Sequence, residues 1–495
     1  MVKPRLLVAN RGEIALRIFR ACRDLGIETV AVYSDADRKA PHVAAADRAV
    51  RLGPAPAAQS YLSVAAILAA AEKTGATLVH PGYGFLSENA AFARACGEVG
   101  LTFVGPPASA IEAMGSKTAA RQRMAAAGVP VVPGMSAAAA SAAEVERFAG
   151  EAGYPILLKA SAGGGGKGMR QVDSPGEIAS ALDRVASEAR ASFADGSVYA
   201  EKLIEKPRHV EVQVIGDSRG HLVAVGEREC SIQRRHQKVV EECPSPAVSA
   251  ELRGRMSEAA VAAAAAVGYS SCGTVEFLLA SDGAFYFLEM NTRLQVEHPV
   301  TEEVWGVDLA AEMIRVALGE PLSFSDLTPR GHAIECRIYA EDPRRGFAPS
   351  PGTISALRLP QGPGIRHDMG VEQGSVVPFD YDPMLGKLIV HAADRPAAVS
   401  RLARALEEYE IWGVETTLPL FRRLVEDEDF RAGAFDVQWL DRRLAGGFFP
   451  DRPPAPEDVF LAAVGLAAEG MDAPSASREE KASLWRRTAR RDSVR

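Results

Sequence analysis

Residues 274 to 299 read TVEFLLASDGAFYFLEMNTRLQVEHP, from Thr274 to Pro299, and the folding of this stretch decides how the rest of the chain is read. Two apolar runs flank Asp282-Gly283, a dipeptide that favours the positive φ of a two-residue hairpin loop. With those two residues as the loop, Ser281 faces Ala284, and counting back sets Glu276 opposite Glu289. Like charges facing each other across a ladder are destabilising, so a bare hairpin disfavours this pair. A divalent cation between the two carboxylates reverses the sign of that argument. Asn291, two residues on and on the same strand face, adds a neutral oxygen. The polar alternation is expected to continue through Arg293, Gln295 and Glu297, with Met290, Leu294 and Val296 between them. An edge hairpin with one solvated face also alternates. This face, however, holds metal-type oxygens, an arginine and a further carboxylate, with no lysine or serine filler, and it reads as a hard-metal site.

The 495 residues have room for two or three domains with real cores, and 47% hydrophobic content is ordinary for a soluble protein. A net charge of −8 gives no reason to expect nucleic acid. The start, Met1-Val-Lys-Pro-Arg5, runs straight into strand-like LLVAN, so no signal peptide is expected, and no apolar run is long enough to cross a bilayer. Six scattered cysteines without paired metal spacing read as buried thiols in a reducing cytoplasm. Only eleven of the 56 basic residues are lysines, so a lysine beside a glycine loop or at a strand end stands out.

Arg5 to Asn10 reads as a strand, a helix-spaced segment follows, and Ile27 to Tyr33 gives the next strand, so the chain opens with a βαβ unit. Its turn is Asn10-Arg11-Gly12-Glu13 without the further glycines of a dinucleotide fingerprint, which excludes a nicotinamide site. The loop HPGYGFLSEN, His80 to Asn89, leaves the carboxyl end of a strand, where open α/β sheets place ligand contacts. Further on, the strand Tyr154 to Ala160 ends in Lys159, and Ser161 to Gly168 reads SAGGGGKG. Four consecutive glycines between lysines read as a lid closing over phosphate oxygens, and the absence of Gly-Lys-Ser/Thr at a helix start excludes a Walker loop. In the strand His209 to Ile215, His209, Glu211 and Gln213 share one face. The run CSIQRRHQKVVEE, Cys230 to Glu242, sits in sequence between the lid and the carboxylate hairpin, where its basic residues could complement an anion. From about Gly331 an α+β module on antiparallel sheet is expected, with Glu335, Arg337 and Tyr339 on one strand face, and the chain becomes proline- and charge-rich after about Gly447.

These motifs resemble the biotin carboxylases of the ATP-grasp superfamily over about residues 1 to 447. ANRGEIALRI, HPGYGFLSEN, KASAGGGGKGMR, EKLIEKPRHVEVQV, QRRHQKVVEE, EMNTRLQVEHPVTE, ECRIYAEDP and YDPMLGKL stand in family order. The resemblance implies an α/β and α+β chain in four parts. A Rossmann-like domain spans 1–115 and an ATP-grasp domain 116–330, with its glycine-rich lid subdomain at about 131–204. An antiparallel C-terminal domain spans 331–447, and a tail of unknown role 448–495. It further implies the biotin carboxylase subunit of acetyl-CoA carboxylase, and so of fatty acid biosynthesis, or of a related acyl-CoA or pyruvate carboxylase. Such a subunit uses ATP, Mg²⁺ or Mn²⁺ (two ions) and bicarbonate to carboxylate biotin through carboxyphosphate. No lysine here follows a methionine, so biotin is expected on a separate carrier protein, with separate carboxyltransferase subunits; the resemblance itself implies a homodimer.

Carried over residue by residue, the resemblance makes Lys117 and Lys159 the phosphate contacts and Gly163, Gly164, Gly165, Gly166 and Gly168 the lid. Glu201 with the backbone of Lys202, Leu203 and Ile204 would meet adenine, and His209, Gln233 and His236 the rest of the nucleotide. Glu276, Glu289 and Asn291 match the metal ligands. Lys238, Arg293, Gln295 and the Val296 backbone match the bicarbonate pocket, Glu297 the base and Arg337 the arginine that steadies the biotin enolate. Tyr83 and Glu88 would line the biotin side. Lys167 stands where relatives can carry arginine.

Overall fold

Strand β1 (Arg5–Val8) buries Leu6, Leu7 and Val8 completely, as an inner parallel strand covered on both faces must. Around it lie β2 (Glu28–Ser34), β3 (Arg48–Gly53), β4 (Leu78–His80) and β5 (Thr102–Phe103), in a parallel sheet of order 3-2-1-4-5. The helix Gly12–Asp24 turns Ile14, Ile18, Ala21 and Cys22 inward, the spacing of one helical face. The loop from Pro81 to Asn89 leaves the carboxyl end of β4, as expected of a ligand-facing loop. The computed structural model describes residues 3–135, 139, 141–160, 169–193 and 196–449, with the backbone alone at 117, 118, 192 and 193. The expected glycine lid, Gly163 to Gly168, and most of the tail therefore lie outside the described residues, as does the side chain of Lys117.

A second, small antiparallel sheet of order 7-6-8 is built from β6 (Ile156–Ala160), β7 (Met169–Val172) and β8 (Val198–Lys202). The helices Ala142–Ala152 and Ile178–Phe193 pack Val145, Ala149, Ile178 and Val185 against its Ile156 and Leu158.

The largest sheet has eight antiparallel strands. In spatial order these are β13 (Phe285–Asn291), β12 (Ser271–Leu279), β9 (Arg208–Gly216), β10 (Leu222–Arg234), β11 (Gln237–Cys243), β14 (His332–Tyr339) and the strands Met384–Ala392 and Ile365–Met369. One face is apolar: Val210, Val212 and Val214 of β9 join Met256, Ala260 and Ala263 of the helix Ala250–Ala265. The other face is polar and equally buried, because the helix His298–Trp305 and the first module cover it. Glu211 and Gln213 are both fully buried there. The sheet runs unbroken past residue 331, so the expected third region continues the second one's sheet across the β11–β14 pairing. All six cysteines are buried and free. Among the described residues, no helix is long and apolar enough to cross a membrane.

The hairpin of β12 and β13 pairs Glu276 with Glu289, as counted from the sequence, but by a different route. Its loop has three residues, Ser281 to Gly283: Ala280 pairs with Ala284 through a 2.8 Å backbone hydrogen bond, and Gly283 takes φ +83°. That shifts the register by one. Between Phe277↔Phe287 and Glu276↔Glu289, Leu288 bulges out unpaired and shifts it back. The two differences cancel. The strand also stops at Asn291, so Arg293, Gln295 and Glu297 do not continue an alternating strand. They stand on an irregular loop, 292–297, that leads into the helix His298–Trp305.

Candidate active site

Lys238 is the hub of the buried polar face. Its Nζ donates to Glu211 Oε2 at 2.5 Å, Glu297 Oε1 at 2.7 Å, Glu276 Oε1 at 2.8 Å and Gln295 Oε1 at 3.3 Å. Four elements therefore converge on one ammonium: β9, β11, β12 and the loop 292–297. Glu276 Oε1 also accepts from Asn291 Nδ2 at 2.8 Å and Gln295 Nε2 at 3.2 Å, while its Oε2 lies 3.2 Å from His209 Nε2. Gln233 Nε2 meets His209 Nδ1 at 3.0 Å. Arg293 donates to Asn291 Oδ1 at 2.8 Å and to Glu88 Oε2 at 2.9 Å. The second oxygen of Glu88 accepts from the Thr292 amide at 3.1 Å, so the loop after β4 and the loop after β13 are tied together.

Glu297 is fully buried, with Lys238 on Oε1 and Arg337 Nη2 at 2.9 Å on Oε2. Burial would push its carboxyl up, but Lys238 and Arg337 outweigh it and hold it below the usual carboxylate range. The same balance, led by Lys238 against burial, holds Glu276 well below that range. Burial dominates elsewhere. Glu241, which accepts from Arg337 Nε at 2.6 Å, is pushed up to about 7. Glu335, opposite Glu241 on β14, is raised well above the carboxylate range, and neither of its oxygens has a hydrogen-bond partner among the described residues.

Lys159 and Glu201 form a second cluster on the small sheet. Glu201 Oε2 accepts from Lys159 Nζ at 2.5 Å, and Oε1 accepts from Arg121. Gly134 makes room for this contact, since a Cβ there would stand 2.6 Å from Arg121 Nη2 and 2.9 Å from Glu201 Cγ. The amides of Lys202 and Leu203 donate to the carbonyls of Pro133 and Pro155 at 2.8 and 3.2 Å, which fixes the backbone where β8 ends. Ile204 follows directly. His236 stands exposed at the β10–β11 turn with φ +67°, beside Arg235 with φ +49°, apart from the buried cluster. Tyr83 donates its hydroxyl to Glu13. The Val296 carbonyl accepts from Lys387 Nζ at 2.7 Å.

Several residues of the site escaped the sequence reading. Arg228, fully buried, donates to Glu211 Oε1 at 2.6 Å, Gln213 Oε1 at 2.7 Å, Thr301 Oγ1 at 2.9 Å and Thr274 Oγ1 at 3.0 Å, and so orients the Glu211 carboxylate beneath Lys238. Glu13, Arg121, Glu241 and Lys387 were likewise given no role. The available signal was the polar residues at alternate positions of inner strands, Glu211 and Glu241 among them.

Glu276 and Glu289, paired across the ladder with Asn291 beside them, supply the hard oxygen donors that Mg²⁺ or Mn²⁺ prefers. These residues would hold such an ion, which would supply neutralisation of negative charge there. Lys238 joins Gln295 and Glu297, with Arg293 on the same loop.

Comparison with known proteins agrees with this geometry. Three family descriptions match in succession: the biotin carboxylase N-terminal domain over residues 2–111, the carbamoyl-phosphate synthase L chain ATP-binding domain over 116–325, and the biotin carboxylase C-terminal domain over 335–442. The chloroplastic biotin carboxylase of Arabidopsis thaliana is 51% identical over 438 residues, 88% of this chain and 82% of that one. The biotin carboxylase of Haemophilus influenzae is 49% identical over 443 residues, 89% of this chain and 98% of that one. Among solved structures, the biotin carboxylase domain dimer of Hydrogenobacter thermophilus 2-oxoglutarate carboxylase, with MgADP, ADP and bicarbonate, superposes with a TM-score of 0.83. It is 46% identical, over 91% of this chain and 99% of that one. The chain belongs to the biotin carboxylase family, ATP-grasp ligases that carboxylate biotin with ATP and bicarbonate.

Proposed function

We propose that this chain carboxylates the ureido nitrogen of biotin held on a separate carrier protein, through carboxyphosphate, with Glu297 as the base that activates bicarbonate. The observation that carries this reading is Glu297 itself: a fully buried carboxylate gripped by Lys238 and Arg337, with Lys238 shared by Glu276 of the metal pair. Bicarbonate entering against Lys238 would draw off part of that ammonium's charge. Glu297, less neutralised, becomes the stronger base, and the bicarbonate proton, now near a cation, becomes easier to remove. Arg293 and Gln295 would hold the anion, with the Val296 amide. Arg337, released from Glu297 once that group is protonated, can turn to the oxyanion of biotin.

For the nucleotide, Lys117, Lys159 and the glycines Gly163 to Gly166 and Gly168 would hold the phosphates. Glu201 with Lys202 to Ile204 would hold adenine, and His209, Gln233 and His236 the remainder. Glu276, Glu289 and Asn291 would hold the divalent cation, which when bound neutralises phosphate charge during transfer. Tyr83 and Glu88 belong on the biotin side. The proposed division is 1–115, 116–330, 331–447 and 448–495, with 131–204 as lid; the family matches over 2–111, 116–325 and 335–442 support the first three spans. The carrier protein, carboxyltransferase subunits and a second copy of this chain are the proposed partners, and free cysteines suit the reducing cytoplasm.

The test is ADP release by the purified chain with Mg²⁺, ATP and bicarbonate, with and without free biotin, beside Glu297→Gln. A biotin-stimulated rate that falls by about 10²–10⁴-fold in the variant is expected, the range typical of a positioned general base. Turnover independent of bicarbonate, or unchanged in Glu297→Gln, would assign the base elsewhere.

A further inference from the structure

The turn Asn10-Arg11-Gly12-Glu13 is a strong sequence feature to which the reaction above gives no role. Its side chains reach a second loop of the same module and, beyond it, the third module. Asn10 Nδ2 donates to the carbonyls of Pro81 and Tyr83, both at 2.7 Å, and Glu13 accepts from the Tyr83 hydroxyl. Glu13 Oε1 also lies 3.2 Å from Nζ of Lys387, a lysine with no exposed surface on the strand Met384–Ala392. The neighbouring backbone allows no slack: a Cβ on Gly370 would stand 2.7 Å from the Glu13 amide nitrogen. Lys387 in turn donates to the Val296 carbonyl at 2.7 Å, with Asp368 as a more distant partner at 3.8 Å.

Val296 immediately precedes Glu297 and lies on a loop with no strand or helix pairing to fix it. A buried ammonium is a costly way to hold one carbonyl, and a well-packed apolar side chain often stabilises a fold at least as well. A backbone carbonyl beside a reacting group is another matter, because peptide rotation there swings the neighbouring side chain and amide together.

We propose that Lys387, held in place by Glu13, is a positioning residue for bicarbonate activation: it fixes the Val296–Glu297 peptide and couples that peptide to the Tyr83 loop. The inference rests on the reading of Glu297 as base and of Tyr83 as a residue of the biotin side. Disturbing either end of the chain Tyr83–Glu13–Lys387–Val296 therefore alters the bicarbonate pocket even when no biotin is present.

The experiment measures steady-state ADP release by the full chain against bicarbonate and against ATP, without and then with free biotin. In Lys387→Met, kcat/KM for bicarbonate falls on the order of 100-fold, as for misplacement of a reacting group by about 1 Å, while KM for ATP stays within about twofold. Glu13→Gln, of nearly the same shape, falls in the same direction by about tenfold, and Glu13→Gln/Lys387→Met is no worse than Lys387→Met alone. Tyr83→Phe raises KM for bicarbonate about threefold in the absence of biotin, which loss of a biotin contact alone would not do. Should Lys387→Met fail to fold, Glu13→Gln and Tyr83→Phe decide the matter by the same readout. Equal effects on ATP and bicarbonate, additive losses, or activity that falls only with the folded fraction would overturn the proposal. An active Glu297→Gln would remove the base assignment yet leave a bicarbonate-specific effect of Lys387 visible, so the two failures are distinguishable.

Discussion

Glu241 shows how one buried carboxyl can be set apart from its neighbours. Glu335 and Arg337 face it from β14, Glu297 from the loop 292–297 and Lys238 from its own strand, and burial outweighs the cations to leave it at about 7. An acid whose pKa is raised by folding keeps a proton that the unfolded chain has already lost. Its contribution to stability is full below the unfolded value near pH 4.5 and is lost as pH rises through about 7. Glu241→Gln fixes the protonated form, so its melting temperature relative to the parent chain should climb between those pH values and level off above. Thermal melts of both proteins across pH check this, and a constant difference would contradict it. The charged residues of the site were legible in sequence to unequal degrees. Glu276, Glu289 and Glu297 share one short segment, and local spacing suffices to connect them. Arg228 with Glu211, or Arg337 with Glu241, are partners only because β9, β10, β11 and β14 lie side by side, and no local spacing encodes that order.

At the scale of elements, irregular residues set which face each side chain reaches. The pairing of Glu276 with Glu289 follows from a three-residue loop and a bulge at Leu288, and the count from the sequence met it because two shifts of one residue cancel. A second bulge serves Arg228. In β10 the pairing passes from Ala224↔Val214 to Glu227↔Val212 with one extra residue, and Gly226 takes φ +68° there. The extra residue puts Arg228 opposite Glu211, on the polar face rather than the apolar one. Trp305 lies against the bare Gly226, and a Cβ at that position would stand 2.4 Å from its indole. Gly226→Ala should therefore destabilise the fold by about 1–3 kcal/mol, through overpacking and the left-handed backbone together. Urea unfolding checks the magnitude, and a change below about 0.5 kcal/mol, the range of ordinary surface substitutions, would mean that the helix His298–Trp305 yields without cost.

Across the whole molecule, charge holds the modules together at least as visibly as apolar packing. Arg17 of the first helix donates to Glu302 at 2.8 Å and Asp308 at 2.6 Å, and Glu302 also accepts from Arg366 at 2.9 Å. Glu88 meets Arg293, Glu13 meets Lys387, and the eight-stranded sheet passes from the second module into the third without a break. Motif order in the sequence separates these modules cleanly; their interlocking depends on strand order and on partners nearly three hundred positions apart, which no single segment reveals. Taking one partner of a pair buried on both sides, Arg17–Glu302 or Glu13–Lys387, leaves the other charge without compensation, and this costs about 3–5 kcal/mol. No module of residues 3–445 can then unfold while the rest keeps its charges satisfied, so these residues should melt in one transition. Buried pairs are screened little by salt, and the midpoint should move only slightly from low to high ionic strength. Tryptophan fluorescence, to which Trp305, Trp412 and Trp439 contribute among the described residues, should give the same midpoint as far-ultraviolet circular dichroism. Arg17→Met should lower both midpoints together. If it lowers one signal and spares the other, the first module is held to the rest more loosely than its ion pairs imply, and the coupling from Tyr83 through Glu13 to the base would lose its mechanical footing.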